Sequence, residues 1–273
     1  MEKIQKKLGC QHYEAEKVMS WVFAGRKPTA KDWQWYHGLT QQAQAVYLSE
    51  QERICRQRNI QIITRNDSEY PEIWRQDMSV ASVLYVQGNL AHLRAEPRVS
   101  IVGSRRPSEY SQIVAKQLSQ LATMAGYTLI SGMAQGIDSL VHQSALAVNG
   151  TTIAILGFGH DYCYPQTNEH FQLKRQLGRT QVVISQYPPM TPPAKWRFIE
   201  RNLLIATLAP ATIVIQAQHK SGSLITAEMA LEAGRDVYIV TGVFGDDSYR
   251  GGHRLIDEGA IALQYFEQIL PTS

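Results

Sequence analysis

From Val99 onward the apolar residues fall into short unbroken runs, separated by longer stretches with apolar residues at helical spacing. Val99-Ser100-Ile101-Val102 is the first run, and it breaks into Gly103-Ser104-Arg105-Arg106-Pro107. Runs that are apolar at successive positions predict strands buried on both faces, as in a parallel sheet covered by helices. The pattern predicts strands at 99–103, 128–131, 151–157, 182–187, 211–217 and 236–242, with a short one near 260–263. Helices are predicted between them, at about 111–125, 138–148, 168–178, 197–208, 222–234 and 252–258. This alternation reads as an α/β fold with a doubly wound, mainly parallel sheet.

The chain before Val99 has another rhythm. Residues 1–60 predict a small helical domain, with helices over Glu14 to Phe23, Ala30 to Tyr36 and Gln41 to Gln57. Gly25, Pro28 and Gly38 punctuate them. Trp21, Trp33, Trp35 and Tyr36 sit at spacings that suit a small core. Residues 61–98 form a transition segment, with short strands at Gln61 to Thr64 and Val83 to Val86. The third part, 99–273, is the sheet domain.

Composition narrows the class. With 273 residues and 44% hydrophobic content, the chain can bury a sizeable core. No apolar run approaches the length of a membrane span. The start, Met1-Glu2-Lys3-Ile4-Gln5-Lys6-Lys7, lacks the apolar centre of a secretion signal, so cytoplasmic residence is expected. Cys10, Cys55 and Cys163 are scattered and odd in number, which predicts reduced thiols and no disulfide frame. Neither the cysteines nor the eight histidines show a metal-ligand spacing, so no metal and no cofactor is expected. The net charge of +3 is lopsided. Residues 1–60 hold ten Lys and Arg against six Asp and Glu, hence +4, and residues 61–273 hold seventeen against eighteen, hence −1. A polyanion bound by the larger part must be held by a few focused cations.

In doubly wound sheets ligands bind beyond the carboxyl ends of the strands. The residues expected there are Gly103, Ser104, Arg105 and Arg106; Gly132 through Asp138; Gly157 to His160, leading to Tyr164-Pro165 and Asn168; Lys195 through Asn202; and His219 through Ser223. Nearly every strand end thus offers glycine, a hydroxyl or a cation. Glycine allows close backbone approach, and arginine can bind a phosphate through two parallel hydrogen bonds. The turns at Gly132 to Gly136 and at Ser221-Gly222-Ser223 can aim helix N-terminal N–H groups at an anion. Dinucleotide and P-loop fingerprints are missing, because Gly103 stands alone in its turn and no GxxxxGK[ST] occurs. No GxSxG elbow supports a hydrolase nucleophile. Asp138 is expected to stabilise its helix or orient Arg105 or Lys220, and Glu200 to pair with Arg201. His142 reads as a packed helix residue. Trp196, Arg197, Phe198, Arg201, Asn202 and Lys220 interleave aromatics with cations in what read as loops, a pattern suited to stacking and neutralising a single nucleic-acid strand. Of the two aromatics, Phe198 is expected to pack inward.

These motifs, in this order, resemble the DNA processing protein A family (DprA, or Smf). The resemblance runs from about Tyr70 to Ala260. It rests on Tyr70-Pro71, Leu84-Tyr85 and Gly88; on Ile101-Val102-Gly103-Ser104-Arg105; on Ser131-Gly132-Met133-Ala134-Gln135-Gly136-Ile137-Asp138, with His142 and Ala145-Leu146 after it; on Tyr164-Pro165 and Asn168; on Phe198, Arg201 and Asn202; and on Ser221 through Ala227, Gly234-Arg235, Leu255-Ile256 and Gly259-Ala260. It departs from the family at Leu203, where a further cation is usual, and at Thr241 and Ser111. No winged-helix segment follows the last strand in this sequence. The resemblance implies a Rossmann-like sheet with a variable N-terminal helical (SAM-like) domain. It also implies a homodimer that binds single-stranded DNA without catalysis, protects incoming DNA in natural transformation (competence) and loads the RecA recombinase. The DNA-binding set it suggests is Gly103, Ser104, Arg105, Gly132, Gly136, Asn168, Phe198, Arg201, Asn202, Lys220, Ser221, Gly222 and Ser223, with no catalytic residue. The alternative is a nucleotide-processing hydrolase of a related Rossmann-like (phosphoribohydrolase) family, in which Asp138 would serve as the catalytic acid.

Overall fold

A computed structural model describes residues 15, 17–22, 29–77, 79–243 and 245–269. Cys10, Gly25, Pro28 and part of the helix expected over 14–23 lie outside them. The chain folds around one nine-stranded sheet. Its strands are β1 (Ile60–Thr64), β2 (Val83–Gly88), β3 (Arg98–Gly103), β4 (Thr128–Ser131), β5 (Thr152–Leu156), β6 (Val182–Ser185), β7 (Ala211–Ile215), β8 (Asp236–Val240) and β9 (Ile261–Leu263). They lie in the order β1-β2-β6-β5-β4-β3-β7-β8-β9. The run from β6 to β9 is parallel, and β1 and β2 add to β6 antiparallel, with Gly88 opposite Val182. The fold is the doubly wound, Rossmann-like α/β sheet that the pattern predicts.

The helices are α1 (Ala30–His37), α2 (Gln41–Gln57), α3 (Glu72–Arg75), α4 (Glu109–Met124), α5 (Ile137–Ala147), α6 (Asn168–Thr180), α7 (Lys195–Leu208), α8 (Gly222–Glu232) and α9 (Arg250–Asp257). Their starts carry the expected chemistry. Ser108 accepts the Ser111 N–H at 3.2 Å before α4, and Thr167 accepts the His170 N–H at 3.4 Å before α6.

Side chains alternate across β3, as a strand requires. Val99 and Ile101 enter a cluster with Leu118, Val141 and Ile213 on one face. Val102 enters the other, with Leu204, Leu208 and Leu224. Ser100 lies on that second face, where its hydroxyl donates to the Ile205 carbonyl at 2.6 Å. The N-terminal helices pack on the antiparallel edge. Gln51 of α2 donates to the Tyr85 hydroxyl at 2.7 Å, and Cys55 is buried with Ile60, Val83 and Tyr85. Tyr36 anchors a small cluster to which the half-buried Trp33 and Trp35 contribute.

The chain runs β3 to β6 in one direction from the centre and β7 to β9 in the other. The direction reverses between β3 and β7, which pair through Gly103 and Ile215. Ligand crevices in such sheets open at this reversal. The stretch expected as loop between 195 and 202 is instead the first two turns of α7, which begins earlier than the predicted residue 197.

Candidate nucleic-acid interface

Gly103 ends β3 at the reversal. A Cβ there would lie 2.0 Å from the Ile215 carbonyl oxygen, so only glycine lets the two backbones meet. The next turn is pinned from both sides. The Ser104 N–H donates to the Ile215 carbonyl at 3.3 Å, and the Ser104 carbonyl accepts the Ile137 N–H at 3.1 Å. The Ser104 hydroxyl accepts the Arg106 N–H at 3.1 Å. Gly136, at φ +86°, closes the contact, since a Cβ would come within 2.4 Å of the Ser104 oxygen. Arg105 therefore projects from a braced turn into solvent. Its guanidinium carbon stands 5.9 Å from the Phe198 ring centre.

Phe198 is half-buried against the core, its ring 6.1 Å from that of Phe158 and 5.4 Å from that of Tyr164. This agrees with the inward packing expected of it, while Trp196 is 45% exposed. Arg201 approaches the same ring at 5.9 Å, but from inside. It is only 4% exposed. Its guanidinium donates to the Gly132 carbonyl at 2.6 Å, to the Ile155 carbonyl, and to Asn202 Oδ1 at 3.3 Å. Desolvation pushes its pKa down to about 10, against the pull of Asp138, so it stays charged at neutral pH.

Asp138 is buried too, and its carboxylate accepts the N–H groups of Gly132 and Ala134 at 3.2 and 3.4 Å. Burial pushes its pKa up, and Arg201 and the two N–H bonds oppose that shift. Asp138 thus braces the loop after β4 from the first turn of α5, the helix-stabilising place that was one of its expected roles. It acts on Arg105 through charge, with no hydrogen bond to Arg105 or Lys220 among the described residues. Glu200 accepts from the Tyr187 hydroxyl at 2.8 Å and from Gln186 at 3.3 Å, where pairing with Arg201 was expected.

Across the reversal, Asn202 donates to the Gly222 carbonyl at 3.2 Å. Gly222 opens α8 behind Ser221, whose hydroxyl lies 2.9 Å from that of Ser223. The N–H groups of Gly222 and Ser223 have no acceptor among the described residues. Lys220 precedes them, exposed, at φ +64°, a strained setting for a non-glycine residue. Gly103, Ser104, Arg105, Gly132, Gly136, Phe198, Arg201, Asn202 and Gly222 thus form one continuous set of contacts. Ser221 and Ser223 adjoin it through the start of α8. Asn168, exposed at the start of α6, and Lys220 are not joined to it by any described contact.

Three further cations that the sequence places at strand ends lie outside the DNA-binding set suggested by the resemblance. Arg106 and Lys195 are exposed, and Arg197 stacks on Trp196 at 4.6 Å with Tyr187 at 5.5 Å. His142 and His160 are buried and neutral, their pKa values pushed down by desolvation to about 3 and about 4. Among the described residues no group of His, Cys, Asp or Glu could hold a metal ion, and no helix is long and apolar enough to cross a membrane.

The family described as DNA recombination-mediator protein A matches residues 61–272. DNA processing protein DprA of Bacillus subtilis is 35% identical over 214 residues, 78% of this chain and 71% of that protein. Protein Smf of Synechocystis is 38% identical over 217 residues, 78% of this chain, and the chain spans 54% of that relative's length. The crystal structure of DprA from Streptococcus pneumoniae superposes with a TM-score of 0.76 at 29% identity, covering 94% of this chain and 95% of that one. DNA processing protein A of Helicobacter pylori, whose structure concerns its single-stranded DNA binding mode, superposes with a TM-score of 0.68 at 26% identity, covering 76% and 93%. With the family matched over most of its length and the braced Arg105 turn at the sheet's reversal, this chain belongs to the DNA processing protein A (DprA/Smf) family.

Proposed function

We propose that this chain binds single-stranded DNA along the carboxyl edge of its sheet and delivers it to a RecA-type recombinase. One observation carries the reading. An exposed guanidinium, Arg105, is held on a braced turn beside an aromatic ring. Arg105, Lys220 and the free N–H groups at the start of α8 bind backbone phosphates, and the exposed Trp196 at the start of α7 stacks on a base. Such contacts are indifferent to base order. The strand-binding mode reported for the Helicobacter pylori relative supports this assignment.

The family's description as a recombination mediator supports the handover, for which natural transformation is the setting we propose. Action as a homodimer is supported by the exposed apolar residues Tyr110, Ile113, Leu121 and Met124 on α4. The protein works as a binding module in this reading. The hydrolase alternative needs Asp138 free for substrate, whereas Asp138 is buried and engaged by two backbone N–H groups.

Fluorescence anisotropy with oligo-dT and with duplex DNA tests the reading. Wild type binds the single strand more tightly, with a log-log salt slope near −0.7 per phosphate neutralised. Arg105→Ala and Lys220→Ala weaken binding and flatten that slope. Unchanged binding by both variants sinks the assignment.

A further inference from the structure

We infer that Tyr164 is a base-stacking residue, providing the open aromatic face that Phe198 cannot. The inference rests on the single-strand reading above. Phe198 is crowded. Its ring is approached by Phe158 at 6.1 Å, by Tyr164 at 5.4 Å, and by the Arg105 and Arg201 guanidiniums at 5.9 Å each. Tyr164 touches that same ring, tilted at 45°, yet is 44% exposed. No hydrogen bond among the described residues engages its hydroxyl. Tyr164 and the phosphate-binding candidate Arg105 thus flank a single ring, an arrangement that lets one strand place a phosphate on one and a neighbouring base on the other.

The ring is also held in place. Its loop is strapped to four other segments. The Gly159 N–H donates to the Thr191 carbonyl at 2.8 Å, and the Asp161 N–H to the Pro189 carbonyl at 2.9 Å. The His160 ring donates to the Tyr85 carbonyl at 2.9 Å. Lys174 donates to the Tyr162 carbonyl at 2.5 Å and to that of His160. Arg58, at the end of α2, grips Asp161 with two bonds of 2.6 and 2.9 Å. A face fixed before binding loses little freedom when a base lands on it. An exposed tyrosine on a slack loop would lose more.

The test measures affinity for oligo-dT and for an abasic oligomer of equal length, which keeps the phosphates and lacks the bases. Tyr164→Ala is expected to bind oligo-dT about tenfold more weakly, within the range for one stacked base. Tyr164→Phe stays within about twofold of wild type, since the π-face is kept. On the abasic oligomer all three proteins bind alike. Tyr164→Leu preserves apolar contact with Phe198 and is expected to match the alanine variant, which covers a folding defect in that variant. Wild-type affinity of Tyr164→Leu for oligo-dT overturns the inference, as does an equal loss on the abasic oligomer. Arg105→Ala runs beside them. If it is weakened while the Tyr164 variants are not, only this inference fails; if it too binds normally, the single-strand reading fails.

Discussion

Arg105 and Arg201 stand equally far from the Phe198 ring and serve different ends. Arg105 meets solvent, whereas Arg201 is spent inside, tying the loop after β4 to β5 through the Gly132 and Ile155 carbonyls. A buried cation removed without its partners leaves those partners desolvated, at a cost of about 3–5 kcal/mol. Arg201→Met is therefore expected to lower the thermal midpoint markedly, with Asp138 left as an uncompensated buried carboxylate. Arg105→Ala is expected to leave that midpoint in place and to lose affinity for oligo-dT. Calorimetry and anisotropy on both variants separate the two roles, and equal midpoints would refute the division. The sequence marks both residues as cations at a strand end, because charge is written in a sequence and depth is not. Periodicity does hold a clue, since Arg201 shares a helical face with Leu204, Ile205 and Leu208, all buried.

The parallel strands were legible as elements because they are apolar without interruption, and the observed bounds differ from the predicted ones mainly at carboxyl ends. The runs at 151–157, 182–187 and 211–217 stop as strands at Leu156, Ser185 and Ile215. The apolar signal continues because the following residues, Phe158, Tyr187 and Ala217 among them, are buried under the site. The start of α8 permits a cleaner test of helix-terminal N–H groups than side-chain deletion allows. Gly222 occupies the first helical position, where proline is well tolerated. Ser221, at φ −77° and ψ 152°, already has the extended conformation a following proline demands. A Cβ at Gly222 would have nothing within 4 Å. Gly222→Pro thus removes one free N–H and changes little else. Stability is expected to hold within about 0.5 kcal/mol. Loss of one hydrogen bond to a charged phosphate, roughly 1.5 kcal/mol, should weaken oligo-dT binding about tenfold. Gly222→Ala, which keeps the N–H, should bind as wild type. Identical affinities for the two variants would exclude this N–H as a contact.

At the scale of the molecule, what the sequence hides is partnership over distance. The strands at 61–64 and 83–86 are readable, yet nothing local says that β2 pairs with β6 about a hundred residues on, or that Arg58 grips Asp161. The same long-range packing seals two histidines into the fold. His142 Nδ1 lies 2.7 Å from the Thr152 hydroxyl, which itself donates to the Leu129 carbonyl, so the ring must be the donor there. Its Nε2 is buried without a partner among the described residues. His160 donates through Nε2 to Tyr85, and its Nδ1 is likewise unpartnered. Neither ring can take a second proton without placing a buried charge where the described residues offer no acceptor. Desolvation leads in both cases, assisted by Arg201 near His142 and by Lys174 near His160, and the folded pKa values fall to about 3 and about 4. The unfolded chain takes up these protons near pH 6.5. Both groups therefore stabilise the fold fully above about pH 6.5, and that contribution is lost as pH falls towards the folded values. In that window each histidine adds a slope of about 1.4 kcal/mol per pH unit to the unfolding free energy. Urea unfolding between pH 7 and pH 4.5 should show stability dropping on acidification. His142→Asn should drop less steeply by the share of one histidine, because the carboxylates common to both proteins cancel in the difference. A slope unchanged by the substitution would mean that His142 is protonated in the fold, and that its pocket is wetter than its burial implies.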